Sequence, residues 1–394
     1  VIRTLLVSAA AGLLLAGCAS FPAQPPQESW QPQPRLTPQA GPQPQAPGQD
    51  SQGIPGKPGQ PKAPTSVPPP NGCKDFDPAV IATCLSPISA VAVLPGGDPA
   101  SGAVKSLAAE RTTGRILQVA KGAEPIVLAT VPVDATGDGG LTGLSLSPTY
   151  GEDQLIFAYV TTATDNRVLR IAPGDQPKPV LTGIPKGATG NQGVLTTDRK
   201  GALLLATGDG GKPDAAADPN SLSGKVLRID TSGKPAKDNP TANSPVVASG
   251  LHSPGGICTS LDGTRTWVTD RVASGDLLYA VKSGQALGTA AWTWPDRPGV
   301  TGCAAYSDMI TVATAKNPGM QSMHLNQDGS FKDKPQLSMQ DDKGFGLLGA
   351  LDLVDEQYMI GGTVNKAGGK PVSSDDRVVI LVRPDTSGGG GGGD

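Results

Sequence analysis

Histidine is nearly absent. The 394 residues contain two, His252 and His324, so any chemistry that needs an imidazole base must use one of them. Aromatic residues make up 4% of the chain, too few for an extended stacking platform. Charge of one sign is also missing: 32 Lys and Arg stand against 35 Asp and Glu, interspersed, for a net charge of −3. That balance, with no basic patch, excludes the electrostatic footprint of a nucleic-acid binder. The five cysteines show no CxxC or Cys/His spacing, which argues against a zinc centre. No apolar run keeps a 3.6-residue period over three turns, which excludes a helical bundle.

What is abundant is glycine and proline, 53 and 39 residues. Much of the proline lies between Ala19 and Gly72, with glutamine and glycine, in a composition that cannot bury a core and stays extended. In front of it, VIRTLLVSAAAGLLLAGCAS places Arg3 before an apolar run from Leu5 to Leu15 that is too short to span a bilayer. The run ends in Leu15-Ala16-Gly17-Cys18, a lipobox. A plain signal peptide cut at a small-residue site is the alternative. The expected organisation is a lipoprotein signal over 1–17, a lipid-anchored linker over 18–72 beginning at the acylated Cys18, a folded domain over 73–385 and a glycine-rich tail over 386–394. The membrane is then a partner through the lipid, and the location is extracytoplasmic, at the cell envelope. Two or more acyl chains anchor firmly, each methylene contributing about 0.8 kcal/mol. A polyproline-like linker at about 3 Å per residue holds the domain on the order of 100 Å from the bilayer.

The remaining roughly 310 residues suffice for a large core. With Cys18 taken by lipid, Cys73, Cys84, Cys258 and Cys303 form an even set in an oxidising compartment. Two disulfides are expected, Cys73 with Cys84 and Cys258 with Cys303, although three pairings are formally possible. Short apolar runs bounded by Gly, Pro, Asp or Asn recur from Ala90 to Arg383, among them QLIFAYVTT, ALLLATGD, KVLRID, RTWVTD and RVVILVR. They are about as many as six four-stranded blades need, in units of roughly 40 to 55 residues. The fold class is all-β. A propeller fits the rhythm, with a β-sandwich pair as the alternative.

Four stretches carry a more specific likeness: GDGGLTGLSLSPTY from Gly137, TTATDNRVLRI from Thr161, IPKGATGNQG from Ile184, and TGDGGKPDAAADPNSLSGKVLRID from Thr207. The chain resembles the soluble quinoprotein glucose/sorbosone (aldose sugar) dehydrogenases over most of Ala90 to Pro384. The resemblance implies a six-bladed β-propeller that binds pyrroloquinoline quinone (PQQ) and calcium and oxidises sugars. It also implies a histidine within I-P-x-G-x-x-H-[NQ]-G-G as the proton acceptor, and here that place is Gly190. Where the family's arginine and asparagine hold the quinone, this chain has His252 and Ser253. Two further family arginines, which pair with the cofactor's carboxylates, align with Leu347 and Gly349. The calcium segment, which ligates through backbone carbonyls, aligns with Asp270 to Asp276.

Asp138, Asn191, Gln192 and Lys316 remain as candidate pocket residues beside His252 and Ser253. A positioned base contributes roughly 10² to 10⁴ in rate. Each lost charged hydrogen bond leaves about 1.5–3 kcal/mol unmade. Joint loss of base and clamp points to a catalytically degenerate propeller, a pseudoenzyme with no cofactor expected, that binds a carbohydrate ligand or an envelope protein. The alternative is a working PQQ-dependent sugar dehydrogenase with a rebuilt site that needs PQQ and calcium.

Other residues carry weaker signals. His324 alternates with apolar neighbours and reads as an ordinarily solvated strand residue. Asp209, Asp214 and Asp218 lie in glycine-rich turns and are weak metal candidates, without the D-x-[DN]-x-[DN]-G pattern. The GDGG runs lack the Lys-Ser/Thr of a phosphate loop. Trp292 and Trp294 are spaced for one face of a strand and read as core.

Overall fold

The structure is a computed structural model that describes residues 67–340 and 344–384. The signal over 1–17, the lipidation site Cys18, most of the linker and the tail over 386–394 lie outside the described residues.

Six antiparallel blades surround a central axis. Blade 1 comprises Ile88–Asp98, Ala103–Glu110, Arg115–Ala120 and Ile126–Thr130. Blade 2 comprises Leu141–Leu146, Ile156–Thr161, Asn166–Ile171 and Lys178–Ile184. Blade 3 comprises Gly193–Thr197, Leu203–Thr207, Lys225–Ile229 and Val246–Ser249. Blade 4 comprises Pro254–Thr259, Thr266–Val272, Gly275–Ala280 and Trp292–Trp294. Blade 5 comprises Val300–Ala305, Met309–Thr314, Met320–His324 and Gln336–Ser338. Blade 6 comprises Leu348–Leu353, Tyr358–Thr363 and Val378–Val382, and its outer strand is Val80–Ala82 from the start of the domain. This closure pairs Val80 with Val379 and Ala82 with Val378.

The first strand of each blade faces the axis and packs on the first strands of its neighbours. Side chains there must be small. At Gly302 a Cβ would lie 2.4 Å from the backbone nitrogen of Leu351, so backbones of adjacent blades meet directly. Apolar layers between blades supply the core. Leu107, Ile116, Leu144 and Ala158 fill the space between blades 1 and 2, and Tyr306, Met309, Met359 and Val379 that between blades 5 and 6. Burying each such side chain contributes roughly 1.5–3 kcal/mol.

Of the three pairings the sequence allows, the structure forms Cys73–Cys84 and Cys258–Cys303. The first staples the closing strand, and the second joins the inner strands of blades 4 and 5. Blade 3 departs from the four-strand pattern. Gln285–Ala286 adds to it in parallel, drawn back by hydrogen bonds from Gly284 N to Val247 O (2.8 Å) and Leu287 N to Ser249 O (2.8 Å). His324 corrects its sequence reading: it is buried in blade 5, with Nε2 lacking a partner among the described residues. Trp294 is core, its Nε1 donating to Gln321 Oε1 at 2.6 Å, and Trp292 meets Phe331 edge to face.

Candidate functional site

At one mouth of the axial channel, where the inner strands begin, loops from all six blades enclose a cavity of about 290 Å³. Its wall includes Asp138 and Gln192, with Arg111 from the turn between the second and third strands of blade 1 and Arg271 from the second strand of blade 4. The motif-bearing loops are rigidly built. Lys225 is fully buried, and its ammonium donates to the carbonyls of Ala215, Ala216 and Ser223 at 2.8–2.9 Å, pinning the short helix Pro213–Ala217 beside the loop. Burial pushes the pKa of this lysine down.

Asp138 is a strut for the loop that carries Gly190. Its carboxylate accepts from Gly190 N at 2.8 Å and from Asn191 N and Nδ2 at 3.2 and 3.3 Å. Asn191 is buried behind the wall and closes the loop on Gly187, accepting from its N–H at 2.9 Å and donating to its carbonyl at 2.8 Å. Gly190 has a φ of +69°, and a Cβ built there would lie 2.5 Å from Asp209 Oδ1, 2.8 Å from Gly211 N and 2.9 Å from Gly210 N. No side chain fits at this position without displacing backbone. Asp209 Oδ1 in turn accepts from Gly211 N at 2.7 Å. Burial, with the Asp270 and Asp138 charges, raises the Asp209 pKa against the opposing pull of that hydrogen bond and of His252.

His252 and Ser253 lie off the cavity wall. Both backbone amides donate to the fully buried carboxylate of Asp270, at 3.0 and 2.6 Å, and His252 Nδ1 lies 3.2 Å from it. That hydrogen bond raises the His252 pKa, leaving a 38% exposed imidazole fixed as part of a turn. Lys316 is exposed, its stem lying over Gly299, while its neighbour Ala315 reaches the wall. The two places aligned with the family's arginine pair are closed as well. Leu347 is buried, and a Cβ at Gly349 would lie 2.4 Å from Ile88 O and 2.5 Å from Val364 Cγ1.

The segment aligned with the calcium site is a tight hairpin, Arg271 opposite Asp276 and Val272 opposite Gly275. What it sends to the wall is the Arg271 side chain. Asp209, Asp214 and Asp218 do not converge: Asp214 lies in the first turn of the short helix, and Asp218 Oδ1 accepts from Asn220 N at 2.9 Å. Among the described residues no group of three His, Cys, Asp or Glu is placed to hold a metal.

Arg111 and Arg271 are the wall residues that sequence reasoning missed. Arg111 Nη1 donates to Gly139 O at 2.7 Å and Gly137 O at 3.3 Å, tying the Asp138 turn to blade 1. Arg271 makes only long contacts, 3.3 Å to Ser253 Oγ and 3.5 Å to Ser253 O, and no ion pair among the described residues. Burial lowers its pKa, opposed by the more distant charges of Asp276, Asp138 and Asp270. The only signal for it was a cation immediately after a buried-strand aspartate in RTWVTDR.

The sequence profile of glucose/sorbosone dehydrogenases matches residues 99–333, and the chain belongs to that family. The aldose sugar dehydrogenase YliI of Escherichia coli (strain K12) is 26% identical over 196 residues, 45% of this chain and 53% of its own length. The match thus spans about half of that curated relative. The PQQ-bound aldose sugar dehydrogenase of Streptomyces coelicolor superposes with a TM-score of 0.70 at 26% identity, over 80% of this chain and 99% of that one. The apo soluble aldose sugar dehydrogenase of Escherichia coli, at 20% identity and a TM-score of 0.63 over 77% and 99%, shares the fold. Against that background the residues present do not fit PQQ in the way the sequence resemblance implies. Among the described residues no imidazole reaches the wall, and a Cβ would meet neighbouring atoms within 3 Å at both Gly190 and Gly349.

Proposed function

We propose that this chain is an envelope-anchored propeller that binds a ligand or partner at the funnel cavity and has given up sugar oxidation. The observation that carries this reading is Gly190: its backbone is left-handed, and a Cβ built there would lie 2.5 Å from Asp209 Oδ1 and within 3 Å of two backbone nitrogens, which leaves no room for a general base. Gly349 adds to it, because the neighbouring backbone fills the space an arginine would need. Loss of a residue whose place has then been closed is unlike a point lesion that one substitution reverses. The lipobox at Cys18 and the proline-rich stretch after it support a tethered domain facing outward, and the interspersed charge gives no reason to expect nucleic acid.

A dye-reduction assay decides the matter. Purified protein supplied with PQQ, calcium and glucose or another aldose is expected to reduce an electron-acceptor dye no faster than the blank. Sustained, sugar-dependent turnover would overturn the reading. It would establish the second one, a PQQ-dependent aldose sugar dehydrogenase with a rebuilt site, which the likeness to the PQQ-bound Streptomyces coelicolor protein favours.

A further inference from the structure

We propose that the funnel cavity binds a monosaccharide-sized, hydroxylated oxyanion, a sugar acid or sugar phosphate, with Arg271 as its anionic-group anchor. The inference rests on the reading above, that the cavity binds and does not oxidise.

The charged side chains of the wall are Arg111, Arg271 and Asp138. Asp138 is already taken by three N–H donors of the Gly190–Asn191 turn, and Arg111 is partly used by the carbonyls of Gly137 and Gly139. Arg271 is different. It carries a guanidinium with five donors, of which the described residues occupy two, at long distance. Asp276, its cross-strand neighbour, gives Oδ2 to the amides of Gly299 (2.6 Å) and Val300 (3.0 Å), while its Oδ1 has no hydrogen-bond partner among the described residues and makes no ion pair with Arg271. Arg271 is half-buried and has no carboxylate within ion-pair distance among the described residues, which leaves three of its N–H donors for a ligand in the cavity. Its planar fork suits the two oxygens of a carboxylate or phosphate.

The hydroxyls of the wall point to the rest of the ligand. Thr142 Oγ1 donates to Gly193 O (2.8 Å), Thr301 Oγ1 to Leu348 O (2.9 Å) and Ser89 Oγ to Leu141 O (2.5 Å). With their protons committed to backbone carbonyls, Ser89 and Thr301 offer lone pairs, and Thr142, which already accepts from Gly193 N at 3.2 Å, keeps one; these suit ligand hydroxyls that donate. A cavity of about 290 Å³ sits at the small end of ligand sites, roughly 300–1,000 Å³, which favours a single sugar ring over a polymer.

Calorimetry on the full chain at low salt, with gluconate and glucose 6-phosphate as probes and glucose as the neutral control, tests this. At least one anion is expected to bind about tenfold or more tightly than glucose. Arg271→Gln should weaken that anion roughly ten- to a hundredfold and leave glucose unaffected. Arg271→Lys, which keeps the charge and loses the fork, should fall between and guards against a folding defect in the glutamine variant. Preference for gluconate assigns a carboxylate ligand, and preference for glucose 6-phosphate a phosphate ester. Equal affinity for glucose and both anions, or undiminished anion binding in folded Arg271→Gln, would overturn the proposal. Dye reduction in the PQQ assay would sink the non-catalytic reading instead, and leaves the Arg271 comparison to be judged separately.

Discussion

Two glycines with the same left-handed backbone meet different surroundings, and the difference measures how firmly the base position has been closed. Gly190 (φ +69°) faces Asp209 Oδ1 and two backbone nitrogens within 3 Å of a notional Cβ, whereas Gly122 (φ +72°) faces nothing within 4 Å. Alanine at Gly122 should cost only the left-handed penalty, about 1–2 kcal/mol. Alanine at Gly190 adds a contact that only a backbone shift relieves, for a total of roughly 2–4 kcal/mol. Urea unfolding of the two variants checks this, with Gly190→His predicted to be no better than Gly190→Ala. An equal or smaller loss at Gly190 would mean that the loop yields easily and that a histidine could be accommodated. The sequence made the substitution at Gly190 visible. It could not show that the space had gone, because that depends on Asp209, nineteen positions along, and on the path of Gly210 and Gly211.

The inner strand of blade 1, Ile88–Asp98, is long because a register shift between Val93 and Gly97 carries it out over the far mouth of the channel. There Asp352 accepts from Val93 N at 2.8 Å, beside a second cavity of about 460 Å³. Burial raises the Asp352 pKa to about 6, against the pull of that hydrogen bond and of Arg199. The folded protein therefore holds a proton that the unfolded chain, with an aspartate near 3.9, has already released. Between those two values stability drops as pH rises. Asp352→Asn has no such slope and keeps an acceptor for Val93, so its stability relative to wild type should improve from pH 4 to about pH 6 and level off above that. A difference that is flat across this range, in paired denaturation curves, would show that the carboxyl is ordinarily solvated. Strands of this kind were legible where apolar runs ended in turn residues, as in KVLRID and ALLLATGD. Others were not. PIVLATV reads as a buried strand, yet Ile126 and Val127 are 55% and 49% exposed, since Ile126–Thr130 is the outer edge of blade 1, with no strand beyond it among the described residues. Gln285–Ala286 is too short to carry any pattern.

At the scale of the whole ring, the strand rhythm pointed to a propeller and the resemblance to six blades, whereas the closure was invisible, because a three-residue strand pairs with one about 300 positions away. Arg271 escaped notice for a similar reason: only the convergence of loops from distant blades makes it a wall residue. The closing strand is held by more than its own ladder. Leu85 and Asp376 exchange backbone hydrogen bonds at 2.9 and 3.0 Å, Cys84 N donates to Ser374 O at 2.8 Å, and Cys73–Cys84 fixes the segment's two ends. With the cysteines 11 positions apart, loop-closure entropy assigns this bridge about 3 kcal/mol. Removing it should first loosen the seam and spare the opposite side of the ring. In Cys73→Ser/Cys84→Ser, amide exchange is expected to accelerate in Val80–Ala82 and Val378–Val382 while Leu203–Thr207 of blade 3 stays protected. Uniform acceleration around all six blades would instead mean that the ring opens as a single cooperative unit and that the staple stabilises it globally.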